Sequence, residues 1–200
     1  MKAHNIMFTG VGGSGVLTAA RVLATAALIE GQKVRMGEIH GMAQRGGIVN
    51  CAIRIGESVY GPIIPIGEAD LLLSIEPIEA LRQANLISPK GTIIVGEYKI
   101  TPTAVMLGRS EYPTVDEIFD KLSKFAKVIT FNAERMARQA GGIMTMNTVL
   151  VGAAFDLDLI PMKESSIIEA IKDVLPARYH EMNITAFKKG MTVQKMTITD

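Results

Sequence analysis

The stretch that most constrains this chain runs from Asn5 to Glu30: an apolar run, Ile6-Met7-Phe8, then Gly10-Val11-Gly12-Gly13-Ser14-Gly15, then an Ala/Leu/Val-rich segment. It reads as a strand, a glycine turn and a buried helix over Val16 to Ile29. Glycine reverses the backbone without a Cβ clash and lets another group approach the amides closely. The first amides of a helix lack an internal partner and carry the positive end of the dipole, so a phosphate or carboxylate can rest there. Gly10, Gly12 and Gly15 match the G-x-G-x-x-G spacing in that context. A tight structural turn without a ligand would leave the same trace. A P-loop is excluded, because Val16 and Leu17 stand where Lys and Ser or Thr are required.

The 200 residues, 48% hydrophobic, suffice for one domain spanning 1–200. A formal net charge of +1 provides no long-range field for nucleic acid or an anionic membrane. The one cysteine, Cys51, cannot build a disulfide framework, a four-thiolate iron–sulfur cluster or a zinc ribbon within the chain. His4, His40 and His180 are too scattered for a metal site, and none is expected. The opening residues lack a signal-peptide pattern and no apolar run spans a bilayer, so the expected location is cytoplasmic.

Gly31 can end the first helix, and Lys33 to Glu38 reads as a second strand, expected parallel to the first through a right-handed crossover. Glu38 then stands where a dinucleotide-binding fold keeps its ribose-binding acid. The sequence turns away from that fold immediately afterwards. Residues 39–47 are too glycine-rich for the next helix, and Ile48 to Ile55 with Ser58 to Tyr60 read as an antiparallel hairpin about Gly56-Glu57. Ala69 to Ile75 and Thr92 to Val95 are buried strands, the second entered by a Pro89-Lys90-Gly91 turn. Helices are expected from Pro77 to Ala84 and from Val115 to Lys124, the latter behind a Thr114/Glu117 capping box. Lys127 to Phe131 is the last strand, and Asn132 caps the helix that follows. The rest is helical, with Gly152 permitting a close helix contact. Only five of the 19 glycines lie beyond residue 100, so the first half is the candidate site half. The fold class is α/β: a Rossmann-like strand, glycine turn and helix, a mixed sheet with an antiparallel hairpin, and a helical C-terminal part.

Two segments together, Gly10 to Leu17 and Gly37-Glu38-Ile39-His40-Gly41-Met42-Ala43-Gln44-Arg45-Gly46-Gly47, resemble the gamma-type component of 2-oxoacid:ferredoxin oxidoreductases. The second segment is most similar to the indolepyruvate branch, in which the component is called the beta subunit. The likeness continues through Gly67-Glu68-Ala69-Asp70, Glu76-Pro77-Ile78-Glu79-Ala80 and Asn183-Ile184-Thr185-Ala186-Phe187. Ser14 departs from it, since relatives more often carry Gln there. The resemblance implies a larger alpha subunit holding thiamine diphosphate with Mg and iron–sulfur clusters, and a complex that converts aryl pyruvates and coenzyme A to aryl-acetyl-CoA while reducing ferredoxin. It implies no catalytic residue and no tightly held cofactor in this chain alone. The residues agree by subtraction, with one cysteine and no Gly-Asp-Gly motif for a diphosphate-bound magnesium.

The expected binding surface is therefore Gly10, Gly12, Gly13, Ser14 and Gly15 with Gln44, Arg45, Gly46 and Gly47, set against anionic groups. Arg45 suits this through its planar, bidentate fork, although an ion pair with Glu38 is an alternative use of it. Lys33, Arg35 and Arg54 are expected on solvated faces. Cys51, in an alternating run, is expected to be structural. The competing functions are a gamma subunit for 2-oxoglutarate or a branched-chain oxoacid, a free-standing NAD(P)-binding protein, and a non-catalytic scaffold.

Overall fold

The computed structural model describes residues 3–41 and 46–193. Six strands form one mixed sheet: β1 (His4–Val11), β2 (Val34–His40), β3 (Ile48–Ile55), β4 (Ala69–Ser74), β5 (Ile87–Gly96) and β6 (Lys127–Phe131), in the spatial order β2-β3-β1-β4-β5-β6. Strands β1, β4, β5 and β6 run parallel, and β3 is antiparallel to both β1 and β2.

Side chains alternate between two cores, as the period of a strand dictates. Ile6, Phe8, Leu71, Leu73 and Ile94 face one layer; Met7, Leu72, Ile93 and Val95 face the other. The larger layer holds α1 (Val16–Ile29), α5 (Ala133–Ala140), α6 (Met146–Asp156), α7 (Glu164–Val174) and α8 (His180–Gly190). The smaller holds α2 (Pro77–Arg82) and α4 (Val115–Leu122), and a single turn, α3 (Thr103–Met106), lies between them in sequence. After β1 the chain crosses one face and continues to β2. After β4 it crosses the opposite face and continues to β5. The two routes diverge at the carboxyl ends of β1 and β4, the switch point at which open α/β sheets receive ligands.

Local signals placed several helix ends. Thr114 accepts from the Glu117 amide at 3.2 Å while Glu117 accepts from the Thr114 amide at 2.8 Å, the expected capping box. Asn132 Oδ1 accepts from the Arg135 amide at 2.8 Å, and Gly31 leaves α1 at φ 72°. Pro77 opens α2 behind the side chain of Glu76, which accepts from the Glu79 amide.

Three expectations about the strands and their connections fail. Strand β2 does not pair with β1; β3 lies between them, so the two are parallel only at second remove. Strand β3 spends both of its edges on β1 and β2 and has none left for Ser58 to Tyr60, which form no strand. The antiparallel hairpin is β2–β3, with the glycine-rich loop at its tip. Pro89-Lys90-Gly91 stays extended within β5, where the register against β4 shifts between Ala69 and Leu71. A bulge absorbs the residues that cannot keep the ladder.

Arg54 also departs from its expected solvated position, whereas Arg35 and Lys33 are exposed. Arg54 Nε donates to Asn5 Oδ1 at 2.9 Å and Nη1 donates to the Ile63 carbonyl at 2.8 Å. Asn5 in turn donates to the Glu68 carbonyl at 2.8 Å, so one polar chain ties β3 and β1 to the segment entering β4.

The α6–α8 contact is as close as backbones allow. A Cβ on Gly152 would stand 2.1 Å from the Phe187 carbonyl oxygen, and one on Gly190 would stand 2.1 Å from the Val149 carbonyl oxygen. Both obstacles are backbone atoms, which cannot swing aside. Gly190→Ala should therefore cost more than about 2 kcal/mol through overpacking, read as a lowered urea midpoint. An unchanged midpoint would mean that α8 shifts freely on α6.

Candidate anion-binding site at the glycine turn

The site begins where β1 ends. Gly10 is still in β1, paired with Val49, and a Cβ there would lie 2.8 Å from Val16 Cγ2, so glycine allows the helix to return across the strand. Gly13 and Gly15 have φ of 90° and 87°, a region that side chains with a Cβ seldom enter. Gly15 is also the N-cap of α1 and provides no capping side chain. Among the described residues no side chain caps the helix, whose first-turn amides have no acceptor inside the helix.

Not every turn amide is open. The Gly12 amide donates to the Gly47 carbonyl at 2.7 Å, and the Ser14 amide donates to the Val11 carbonyl at 3.1 Å. The Ser14 hydroxyl also donates to the Val11 carbonyl, at 2.6 Å, so its role is to close the turn. The Gly46 amide makes a longer return bond to the Gly12 carbonyl, 3.4 Å. Thus Gly46 and Gly47 of the β2–β3 connection are docked on the glycine turn, and two segments distant in sequence form one surface. Gln44 and Arg45 lie outside the described residues.

A cleft of about 470 Å³ opens here, lined by Gly12, Gly13, Gly15 and Thr18 on one side and by Glu38, His40 and Val49 of the hairpin on the other. Sequence reasoning missed Thr18, His40, Val49 and Met144, which joins the rim from the C-terminal half. Glu38 does reach the cleft, but from the far side of β3. A dinucleotide fold would place it on a strand adjacent to β1. An exposed Glu38 favours a hydroxyl donor over an anion in its immediate vicinity, so the anion place is at the helix mouth.

Asn147, also missed, is the first polar side chain of α6. Its Nδ2 donates to the Ser14 carbonyl at 2.8 Å, fastening α6 to the turn. The only signal in the sequence was the pair Asn147-Thr148 heading a run of aliphatic residues.

The described residues bring no group of three or more His, Cys, Asp or Glu side chains together. This donor set does not fit a magnesium-bound diphosphate or an iron–sulfur cluster, whereas the open amides fit a phosphate. None of the helices among the described residues is long and apolar enough to cross a membrane. The arrangement defines an α/β domain that can receive an anion beside a hairpin loop but assembles no redox centre from its described side chains.

The pyruvate ferredoxin/flavodoxin oxidoreductase family model matches residues 5–193. The chain belongs to that family. It is 43% identical over 197 residues, 98% of each chain, to indolepyruvate oxidoreductase subunit IorB of Thermococcus kodakarensis. It is 28% identical over 188 residues to the common gamma subunit of the pyruvate/ketoisovalerate oxidoreductases of Pyrococcus furiosus, covering 92% of this chain and 94% of that one. Its fold superposes on 2-oxoglutarate:ferredoxin oxidoreductase from Magnetococcus marinus, solved with 2-oxoglutarate, coenzyme A and succinyl-CoA, with a TM-score of 0.74 at 17% identity. The match covers 98% of this chain and 32% of that chain.

Cys51 is wholly buried in β3, and burial, reinforced by the Glu38 charge, pushes its thiol up to about 12. The thiolate is the reactive form, so the sulfur is inert near neutrality. Iodoacetamide at pH 8 should leave Cys51 unmodified in the native chain and label it in denaturant. Labelling of the native chain at the rate of the denatured one, measured by mass spectrometry, would restore a chemical role to the thiol.

Proposed function

We propose that this chain is the small subunit of a thiamine-diphosphate and iron–sulfur dependent indolepyruvate:ferredoxin oxidoreductase, which converts aryl pyruvates and coenzyme A to aryl-acetyl-CoA and CO2 while reducing ferredoxin. A larger partner subunit holds the thiamine diphosphate, its Mg and the clusters. This chain's part is to bind and orient an anionic portion of coenzyme A. The observation that carries the reading is the uncapped mouth of α1, where Gly13 and Gly15 clear space above amides that have no helical acceptor. We assign Gln44 and Arg45, which stand between β2 and β3 in the sequence, to the same role, with Arg45 as the bidentate partner for a phosphate. The substrate assignment follows the greater likeness to the indolepyruvate subunit, 43% against 28% for the shared gamma subunit. The coenzyme assignment is supported by the coenzyme A-bound 2-oxoglutarate enzyme, part of which has this fold.

Reconstitution tests the proposal as a whole. The purified chain alone should show no oxoacid-dependent reduction of a viologen dye, and adding a cluster-bearing larger subunit should produce coenzyme A-dependent activity with indolepyruvate. Dye reduction by the chain alone would overturn the division of labour, and preference for 2-oxoglutarate or a branched-chain oxoacid would overturn the substrate.

The anion site has its own test in Thr18, the third residue of α1 and part of the cleft wall. A carboxylate in the first turn favours the helix through its dipole but repels an incoming phosphate. Thr18→Asp should raise the Michaelis constant for coenzyme A at least tenfold while the melting temperature stays level or rises. An unchanged constant would remove the anion from the turn.

A further inference from the structure

The smaller layer holds two buried carboxyl groups side by side. Glu76, wholly buried, follows β4 and caps α2. Its Oε2 accepts from the Glu79 amide at 2.9 Å, and its Oε1 accepts from the Tyr112 hydroxyl at 2.5 Å and the Ile100 amide at 3.4 Å. Ile100 and Tyr112 stand near the two ends of the 97–114 connection between β5 and α4, so both ends close on one oxygen. Hydrogen bonds to an ionised acceptor are about twice as strong as neutral ones, so this hold is firmest when Glu76 is an anion.

Glu79, 4% exposed, is the difficulty. Its Oε1 meets Arg82 Nη1 at 3.2 Å, but its Oε2 has no hydrogen-bond partner. The Arg82 side chain is 45% exposed, so water screens its charge. Glu76 and Tyr112 also bear on Glu79, and Lys99 lies over the Tyr112 ring, 4.2 Å from its centre. The other neighbours of α2 bring no further charge inward. β1, β4 and β5 contribute Met7, Leu72 and Val95 to the core that holds Ala80, with His4, Asp70 and Lys90 toward the other end of those strands. The Ala84–Leu86 turn is uncharged, and Asp116, Glu117, Asp120 and Lys121 of α4 are exposed. Burial therefore pushes the Glu79 carboxyl up; Arg82 offsets this in part, and the Glu76 charge adds to it. A neutral Glu79 also leaves its lone oxygen without a full buried charge.

We propose that the proton on Glu79 operates a latch: with Glu79 neutral, Glu76 holds both ends of the 97–114 connection, and with Glu79 ionised, repulsion between the two carboxylates loosens that hold. The connection leaves the carboxyl end of β5, on the sheet edge where the glycine turn opens, so the proton governs the order of that edge. The latch is independent of the anion reading. Its sign follows from linkage, because the fold binds this proton more tightly than the unfolded chain does. The stabilisation is whole below the ordinary glutamate value of 4.5 and is lost as pH rises through the folded value.

The test is a titration of the full chain, labelled with ¹³C and ¹⁵N, from pH 4 to pH 9, beside Glu79→Gln, whose neutral amide imitates the protonated acid. The Glu79 carboxyl should titrate above the ordinary value. At the same midpoint the Ile100 amide should lose tenfold or more of its protection from hydrogen exchange, after correction for the intrinsic rate. In Glu79→Gln that loss should vanish, and the urea midpoint should match the wild type at pH 4 and exceed it at pH 9. Glu79 titrating at or below the ordinary value, or still protonated at pH 9, overturns the latch. So does Ile100 protection that stays constant through the Glu79 midpoint, or that falls equally in Glu79→Gln. Should Glu79→Gln fail to fold, the shared midpoint of carboxyl and amide in the wild type decides alone.

Discussion

The short hydrogen bond from the Gly12 amide to the Gly47 carbonyl, 2.7 Å, is the contact on which the cleft depends. It exists because β3 pairs directly with β1 along the whole strand, from His4 opposite Ile55 to Val11 opposite Ile48. That register delivers the hairpin tip to the glycine turn at the carboxyl end of β1. Without the insertion of β3, the turn would face a second parallel strand and the fold would be a dinucleotide-binding half. The antiparallel insertion replaces the ribose-facing strand with a loop from the same chain.

The two faces of the sheet serve different ends. The face carrying α2 and α4 is a compact second core around Leu72, Ile93 and Val95. The other face carries α1 and a C-terminal helical layer that is drawn close by Gly152 and Gly190. This closeness brings the start of α6 to the glycine turn and allows Asn147 to hold the Ser14 carbonyl. The helical half therefore supports the site although it provides little of the cleft wall, Met144 being its contribution there.

Family membership makes the chain a component of an oxidoreductase whose activity belongs to the complex. Cys51, the one thiol, is locked protonated inside β3, and the described acids and histidines do not converge on a metal-sized point. In the function proposed above the chain offers oriented amides, which would act on charge without any change of protonation or oxidation state.

Much of this was legible in local sequence. The Gly10 to Gly15 turn, the caps at Thr114, Asn132 and Gly31, and the buried strands Ala69 to Ile75 and Thr92 to Val95 are set by backbone sterics, hydrogen bonds within a few residues and side-chain period, all of which a short window contains. Pairing partners were not, because β3 alternates equally well for any neighbour, and only its register against both β1 and β2 assigned Ile48 to Ile55 a central place and left Ser58 to Tyr60 without one. Arg54 looked like a surface cation, and Asn147 drew no reading at all. What made one a tie between strands and the other a buried tether was the convergence of segments 49 and 133 residues away, which no local pattern encodes.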